Sequence, residues 1–194
     1  MKEFVFPTIG DLNDGCGVLI GDLFVTAAHV VMKHDFLLSI NGEKICLKKE
    51  DALYLEYKES EDGADIAIFR LEGYKSNLEL DTTTPQKGMT LDSISYKHII
   101  ENKTNETNIF LKEAKDYYQL VECKATIEVL EGNFYICKTT YPLKEGSSGS
   151  PVFRNGKVFG ILLRGEPGTN ICAFQSSSSI IAWINNLKKN KLHK

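Results

Sequence analysis

Most of the chain is built from short runs of apolar residues, continuous or alternating with polar residues, and these runs are rich in Val, Ile, Phe and Tyr. Glycine, asparagine and aspartate separate the runs. Short β-branched and aromatic segments with such breaks predict β-strands. Six strands are predicted in the first half, over residues 16–20, 24–31, 36–40, 43–48, 53–58 and 65–71, and six in the second, over 89–97, 119–130, 134–140, 150–153, 157–163 and 171–175.

Two turn signals and one helical pattern complete this prediction. Asn155-Gly156 lies between two apolar runs and predicts a two-residue hairpin, and Glu131-Gly132-Asn133 predicts a second hairpin. Residues 98–115 are polar and irregular, as in a long surface loop or a short helix. Near the end, apolar residues recur at helical spacing after a run of serines that can cap a helix. They are Ile180, Trp183, Ile184 and Leu187, after Ser176–Ser179.

The strand pattern divides the chain into four segments. Many short strands at regular spacing are typical of antiparallel barrels or sandwiches, so we predict an all-β protein with a C-terminal α-helix. The segments are a first β unit over 1–72, a polar connector over 73–88, a second β unit over 89–175, and a helix with its tail over 176–194. The 194 residues, 42% hydrophobic and 25% charged, can bury a sizeable core.

Charge and cysteine usage argue against several classes of function. A net charge of -3 argues against a nucleic-acid-binding protein, which usually has a basic face. No apolar run reaches the roughly 18 residues of a membrane helix, and the start lacks the apolar core of a signal peptide. None of the five cysteines forms a C-x-x-C pair, so we expect no metal and no cofactor. We expect buried free thiols in a reducing compartment, the cytoplasm.

The segment over residues 145–152, Glu-Gly-Ser-Ser-Gly-Ser-Pro-Val, carries the strongest chemical signal. A serine between glycines can lie on a tight turn whose backbone N–H groups converge on one point, where they can stabilise an oxyanion. A serine hydroxyl also needs a base, and the base needs a group that orients it. His29 follows Thr-Ala-Ala, and Asp65 begins the apolar run Asp-Ile-Ala-Ile-Phe.

Each of these segments alone has a simpler interpretation. A serine- and glycine-rich segment is more often only a loop, His29 alone is more often a hydrogen-bonded core histidine, and Asp65 alone is more often a turn residue. Their order along the chain, His, Asp, Ser, is that of one of the known catalytic triads. The combination therefore predicts a serine hydrolase.

These segments resemble those of the trypsin-like (chymotrypsin-fold) serine peptidases, and particularly the bacterial branch that includes the HtrA and glutamyl endopeptidase types. The similarity also covers Gly-Cys-Gly-Val-Leu-Ile over 15–20 and Ala-Phe-Gln-Ser over 173–176, and extends over residues 12 to 187. It implies two six-stranded antiparallel β-barrels with the active site in the cleft between them. It also implies a polypeptide substrate.

The resemblance implies a role for each matching residue. His29, Asp65 and Ser148 match the triad, and the N–H groups of Gly146 and Ser148 match the oxyanion hole. Asp62 is the rival for the acidic role, but it lies in a segment that we interpret as a solvated turn. His34, His98 and His193 match no motif, and we expect them at the surface.

The resemblance also implies a substrate pocket without charge at its base. Its base lies near Pro142, with Tyr141 and Leu143 beside it and Leu162 and Ala173 opposite. No carboxylate stands at the base, which argues against a preference for Lys or Arg. Leu143 and Leu162 replace the threonine and histidine of acid-preferring relatives, so an apolar pocket is expected. The strand that pairs with substrate backbone contains Leu163, Arg164 and Gly165, and Arg164 at the rim could attract an acidic side chain.

Two departures from the family pattern concern regulation and location. Val30 stands where secreted animal members have a cysteine, in agreement with a reducing compartment. Ser147 stands where zymogen-derived members have an aspartate, so an ion pair with a freed N-terminus cannot form. Two alternatives stay open: a catalytically silent double barrel that binds peptides, and a peptidase that its own loops hold inactive until a regulatory protein partner binds.

Overall fold

Seven antiparallel strands form a curled sheet in the first half of the chain. The computed structural model describes residues 1–10, 15–32, 35–58, 64–98, 118–143 and 146–191. Its strands are β1 (Val5–Gly10), β2 (Gly15–Ile20), β3 (Leu23–Thr26), β4 (Phe36–Ile40), β5 (Glu43–Leu47), β6 (Tyr54–Tyr57) and β7 (Asp65–Arg70), and the single-turn helix α1 (Ala28–Val31) lies between β3 and β4 in the chain. The strand order in the sheet is β5-β4-β1-β2-β3-β7-β6.

The second half forms a closed antiparallel barrel followed by a helix. The elements are β8 (Thr90–His98), β9 (Tyr118–Glu131), β10 (Phe134–Thr139), β11 (Pro151–Arg154), β12 (Lys157–Gly165), β13 (Ile171–Ser176) and α2 (Ser177–Lys191). The strand order around the barrel is β10-β13-β12-β11-β8-β9. The all-β prediction with a C-terminal helix is thus confirmed.

In the first half, one strand was not predicted and another was predicted too long. Strand β1 was not predicted, although it pairs with both β2 and β4 inside the sheet. The strand predicted over 24–31 ends at Thr26, and the chain then turns into α1. The first N–H groups of a helix have no acceptor within the helix. Here the Asp65 carboxylate accepts one of them, the N–H of His29, at 2.8 Å. A contact distant in the sequence therefore stabilises the helical turn.

Both predicted hairpins are confirmed, as is the capped terminal helix. Asn155 and Gly156 connect β11 to β12 with φ angles of 50° and 80°, as a two-residue hairpin of this type requires. The second turn connects β9 to β10. At the start of α2, Ser176 Oγ accepts a hydrogen bond from the N–H of Ser179 at 3.4 Å. The predicted loop over 98–115 lies, beyond His98, outside the described residues.

The two halves and the helix share a buried apolar layer. Val18 and Ile66 of the curled sheet, Ile161 of the barrel and Ile180 of α2 belong to one cluster. Separate clusters fill the inside of the curled sheet and of the barrel. The halves therefore meet along a packed seam, and β2, β3 and the turn before β11 lie along it.

The helices and thiols of the described residues give two further findings. In the part of the chain that the structure describes, no helix has both the length and the apolar character needed to cross a membrane. All five cysteines are free thiols, and only Cys46 is exposed.

Candidate active site

His29 is held by both oxygens of the Asp65 carboxylate. The backbone N–H of His29 donates to Oδ1 at 2.8 Å, and Nδ1 of its ring lies 2.6 Å from Oδ2. An ionised carboxylate can only accept hydrogen bonds, so this contact places the imidazole proton on Nδ1 and leaves the lone pair on Nε2. The Asp65 side chain is 14% exposed and that of His29 is 30% exposed, so the ring remains accessible.

Strand pairing explains why these two residues meet. Strands β3 and β7 are antiparallel neighbours, and Thr26 at the end of β3 lies opposite Ala67 near the start of β7. The chain that leaves β3 toward His29 therefore passes the first residue of β7, which is Asp65. The next four residues of β7 are buried and anchor the strand. Asp62, the sequence-level rival, lies outside the described residues.

Ser148 is the accessible residue of an otherwise buried turn. Gly146, Ser147, Gly149 and Ser150 are buried, whereas Ser148 is partly exposed. The N–H of Ser150 donates to the Ser147 carbonyl at 3.0 Å and closes the turn. Gly146 and Gly149 have φ angles of 88° and 84°, which side-chain-bearing residues rarely adopt. The two glycines thus permit the turn that presents Ser148.

The turn is docked on the half of the molecule that carries His29. The backbone N–H of Cys16 donates to the Ser148 carbonyl at 2.7 Å. A Cβ atom placed on Gly149 would lie 3.0 Å from the backbone nitrogen of Ala27, two residues before His29. The structure therefore brings the predicted nucleophile to the seam beside the His29–Asp65 pair.

Hydrogen bonds to β12 and to β8 hold the residues around the predicted oxyanion hole. The N–H of Gly149 donates to the Leu162 carbonyl at 2.8 Å, which ties the turn to β12. Ser147 is buried, and its hydroxyl donates to the Tyr96 carbonyl of β8 at 3.3 Å. Gly146 and Ser148 lie on either side of Ser147 in this supported turn. Their assignment as oxyanion donors stays a prediction.

The predicted pocket residues separate into a buried set and an exposed set. Leu162 is buried in the barrel cluster, and the partly buried Leu143 packs against the same cluster. Leu163 is also buried. The exposed residues are Tyr141, which is 63% exposed, Pro142, Arg164 and Gly165.

Ala173 does not join Leu162 and Leu143 as expected. Side chains alternate along β13, and its neighbours Cys172 and Phe174 are the ones that face the barrel cluster. The register slips by one residue between β12 and β13 near Leu162, so Ala173 lies opposite Arg164. We therefore replace Ala173 by Cys172 in the predicted pocket.

Cys172 lies between the loop around Leu143 and the end of β12 at Gly165, which were predicted to enclose the pocket. A Cβ placed on Gly165 would lie 3.6 Å from Cys172 Sγ and 3.9 Å from the Leu143 carbonyl oxygen. The Leu143 backbone and the Thr139 hydroxyl lie against the thiol, and burial raises the pKa of Cys172 to about 11. The alternation of side chains along β13 could have identified Cys172 from the sequence, but only if the face of the strand that points into the barrel had been known.

The described residues contain no group of three or more His, Cys, Asp or Glu side chains that could hold a metal ion. His98 ends β8. His34 and His193 lie outside the described residues.

Comparison with known proteins identifies the fold. No family model and no curated protein matches the chain. Among solved structures, the serine endoprotease from Yersinia pestis is similar with a TM-score of 0.70, at 15% identity over 98% of this chain and 64% of that chain. Neuropsin, a serine protease expressed in the limbic system of mouse brain, is similar with a TM-score of 0.67, at 16% identity over 95% of this chain and 94% of that chain.

A third similar structure is the scabies mite inactivated protease paralogue S-D1. Its TM-score is 0.72, at 12% identity over 98% of this chain and 94% of that chain. The likeness to these structures shows the chymotrypsin-like double-barrel fold, here with an open first sheet. Because the fold is shared with an inactivated paralogue, the activity has to be argued from the residues of the site.

Proposed function

We propose that this chain is a serine endopeptidase that hydrolyses peptide bonds through an acyl-enzyme on Ser148. His29 acts as general base and then as general acid, and Asp65 orients His29. The observation that carries the proposal is the double hydrogen bond from His29 to Asp65, at 2.8 and 2.6 Å, beside the turn that presents Ser148. A histidine held in this tautomer is ready to accept a proton from a serine hydroxyl.

The first half of the reaction forms the acyl-enzyme. Ser148 Oγ attacks the substrate carbonyl carbon while its proton passes to Nε2 of His29. The carbonyl oxygen becomes an oxyanion, which the N–H groups of Gly146 and Ser148 stabilise. The C–N bond then breaks, and His29 gives its proton to the departing amine.

The second half returns the enzyme to its starting state. A water molecule gives a proton to His29 as its oxygen attacks the acyl carbon. The bond to Ser148 Oγ breaks, the serine recovers its proton from His29, and the carboxylic acid product leaves. Asp65 stays ionised throughout and stabilises the imidazolium that forms twice in the cycle.

The pocket supports an apolar side chain on the acyl side of the cleaved bond. Leu143, Leu162 and Cys172 offer no group that could pair with a buried charge. Burying an unpaired ionised side chain would cost several kcal/mol, whereas an apolar side chain such as Val or Leu gains about 1.5–3 kcal/mol when buried. Leu163, Arg164 and Gly165 supply the strand against which the substrate backbone lies.

We also propose similarity to the bacterial HtrA and glutamyl endopeptidase branch, a cytoplasmic location, and a polypeptide substrate without nucleic-acid or membrane partners. Five free thiols, four of them away from solvent, suit a reducing compartment. A regulatory protein partner is compatible with the same site.

The alternative is a catalytically silent double barrel that binds peptides, which the likeness to an inactivated paralogue favours. The intact His29–Asp65 pair argues against it, because a silent protein has no need of a histidine held in one tautomer. The two candidates differ in turnover, which a peptide library can measure.

The test is the cleavage of a peptide library, compared between the native protein and Ser148→Ala. We expect cleavage after apolar residues, with turnover reduced about 10⁶-fold in the variant, the loss found for triad knockouts in another serine peptidase. Ser150→Ala serves as the control for loss of a neighbouring hydroxyl. Binding of peptides without cleavage would support the silent alternative, and cleavage dominated by Lys, Arg or Glu would contradict the apolar pocket.

A further inference from the structure

A buried hydroxyl connects the base-bearing half to the nucleophile turn. Strand β3 ends at Thr26, which pairs with Gly17 of β2. Cys16, the residue before Gly17 in β2, therefore has no partner in β3. Its carbonyl accepts a hydrogen bond from Thr26 Oγ1 at 2.6 Å, and its N–H donates to the Ser148 carbonyl at 2.7 Å. Cys16 is thus held by Thr26 on one side and holds Ser148 on the other.

The turn also rests directly on this part of the seam. A Cβ placed on Gly149 would lie 2.0 Å from the Cys16 carbonyl oxygen and 2.5 Å from Thr26 Oγ1. Both distances are far shorter than van der Waals contact, so only a glycine fits. Thr26 is fully buried, and the turn has no room to shift toward it.

We propose that Thr26 is a positioning residue for the peptidase reaction, and the proposal rests on the function proposed above. His29 follows Thr26 by three residues in one half of the molecule, and Ser148 belongs to the other half. Proton transfer between them requires heavy atoms about 2.6–3.2 Å apart. The hydroxyl of Thr26 fixes Cys16, and Cys16 fixes the Ser148 backbone, so the contact sets the distance between nucleophile and base.

A purely structural role would have a different consequence. Ser76 makes a comparable buried hydrogen bond to the same strand, because its hydroxyl donates to the Leu19 carbonyl at 2.7 Å. It also accepts from the N–H of Gly21 at 3.1 Å, at the end of β2 away from Cys16. Removing either hydroxyl should lower the free energy of unfolding, but only Thr26 is connected to the Ser148 backbone.

The experiment compares Thr26→Val, Thr26→Ser and the control Ser76→Ala. For each variant, kcat, KM and the rate of labelling by a fluorophosphonate are measured at a temperature below its unfolding midpoint. Thr26→Val removes the donor and keeps the volume. We expect kcat and the labelling rate to fall about 10- to 100-fold, because small displacements of reacting groups have effects of this size. KM and the shape of the pH profile should stay unchanged. Thr26→Ser should restore most of the rate, and Ser76→Ala should lower stability without lowering kcat.

The outcomes separate this inference from the proposed function. A native protein labelled at Ser148 together with a Thr26→Val variant of native kcat would overturn the positioning role alone. An equal loss of kcat in Ser76→Ala would also overturn it, because the effect would then follow stability. If the valine variant does not fold, Thr26→Ala gives the same comparison without a second methyl group near Gly149. A native protein that is not labelled at Ser148 would refute the proposed function, and the positioning role with it.

Discussion

At the scale of single residues, the chemistry of the site depends on a carboxylate that accepts two hydrogen bonds. Oδ1 of Asp65 receives the backbone N–H of His29, and Oδ2 receives its ring. An amide at this position could accept only one of them. If its oxygen kept the backbone N–H, its NH₂ group would face Nδ1 and move the imidazole proton to Nε2. The histidine could then no longer accept a proton from Ser148.

Asp65→Asn should therefore lower kcat by about 10⁴-fold, the size of loss known for this change in a Ser-His-Asp triad. The unfolding temperature should change little, since the amide is nearly isosteric. Steady-state kinetics and thermal unfolding of the purified variant measure both quantities. Near-normal turnover in Asp65→Asn, together with an inactive Asp62→Asn, would transfer the orienting role to Asp62.

We expect Cys172 to limit the size of the proposed pocket, because its thiol lies near both Gly165 and the Leu143 backbone. Cys172→Gly should raise kcat/KM for substrates with Phe relative to those with Val by about 10-fold, as expected when a pocket gains room for larger apolar groups. Paired peptide substrates that differ only at this residue provide the measurement. Cys46→Gly, at an exposed position of β5, is the matched control. An unchanged ratio would place Cys172 outside the pocket.

At the scale of elements, the loop that precedes the nucleophile is supported from within its own half. Ser147 reaches the Tyr96 carbonyl of β8 with a neutral hydroxyl. In trypsin-like peptidases that are activated by cleavage, an aspartate before the nucleophile pairs with a freed ammonium group, and loss of one partner of such a buried pair costs about 3–5 kcal/mol. Here an inserted ammonium would find no counter-charge. The loop needs another source of order, and the hydrogen bonds of the turn supply it.

We therefore expect that the protein does not require a newly released N-terminus for activity. A bulky, uncleavable fusion at Met1 should leave the rate of fluorophosphonate labelling unchanged. The comparison is made between fused and untagged protein at equal concentration. Labelling that develops only after proteolytic release of a new N-terminus would contradict this expectation.

The sequence predicts most strands and both hairpins, because these depend on local patterns. It does not predict β1, since Pro7 inside the run argues against a strand, although the structure places it opposite Cys16. It also does not predict that the chain turns into α1 after Thr26. That turn is stabilised by a hydrogen bond that the His29 N–H donates to Asp65, 36 positions away in the sequence.

The candidate site, like the fold, can be predicted from the sequence only in part. The types and order of the three triad residues can be recognised in the sequence, because each lies in a short segment with distinctive neighbours. The pocket cannot be derived in this way. Side chains alternate along β13, so Cys172 and not Ala173 faces the barrel cluster against which Leu143 packs. The sequence pattern alone does not show which face of this strand points into the barrel.

At the scale of the whole molecule, buried thiols connect the stability of the fold to alkaline pH. Burial raises the pKa of Cys16, in the layer shared by the two halves, from an ordinary 9.0 to about 12. The pKa of Cys172 rises to about 11, and burial also raises that of Cys137. A group whose pKa is higher in the folded state stabilises the fold fully below its unfolded pKa, and this contribution is lost as the pH rises toward the folded pKa.

The free energy of unfolding should therefore decline as the pH rises from about 9 to 11, by about 1.4 kcal/mol per pH unit for each such thiol. Urea unfolding at successive pH values measures this slope. In Cys16→Ala this slope should be smaller by the contribution of one thiol, about 1.4 kcal/mol per pH unit, whatever the absolute stability of the variant. An identical slope in both proteins would show that the Cys16 thiol ionises equally in the folded and unfolded states.

The assignment of Ser148 as the nucleophile can be tested by the mass of the protein after reaction with a fluorophosphonate, with the modified residue located by peptide mapping. The reagent phosphonylates only a serine whose hydroxyl is activated by a neighbouring base. We expect one adduct, on Ser148, that disappears in Ser148→Ala and forms far more slowly in His29→Ala. An unmodified native protein, or an adduct on Ser147 or Ser150 that persists in Ser148→Ala, would contradict the assignment of Ser148 as the nucleophile.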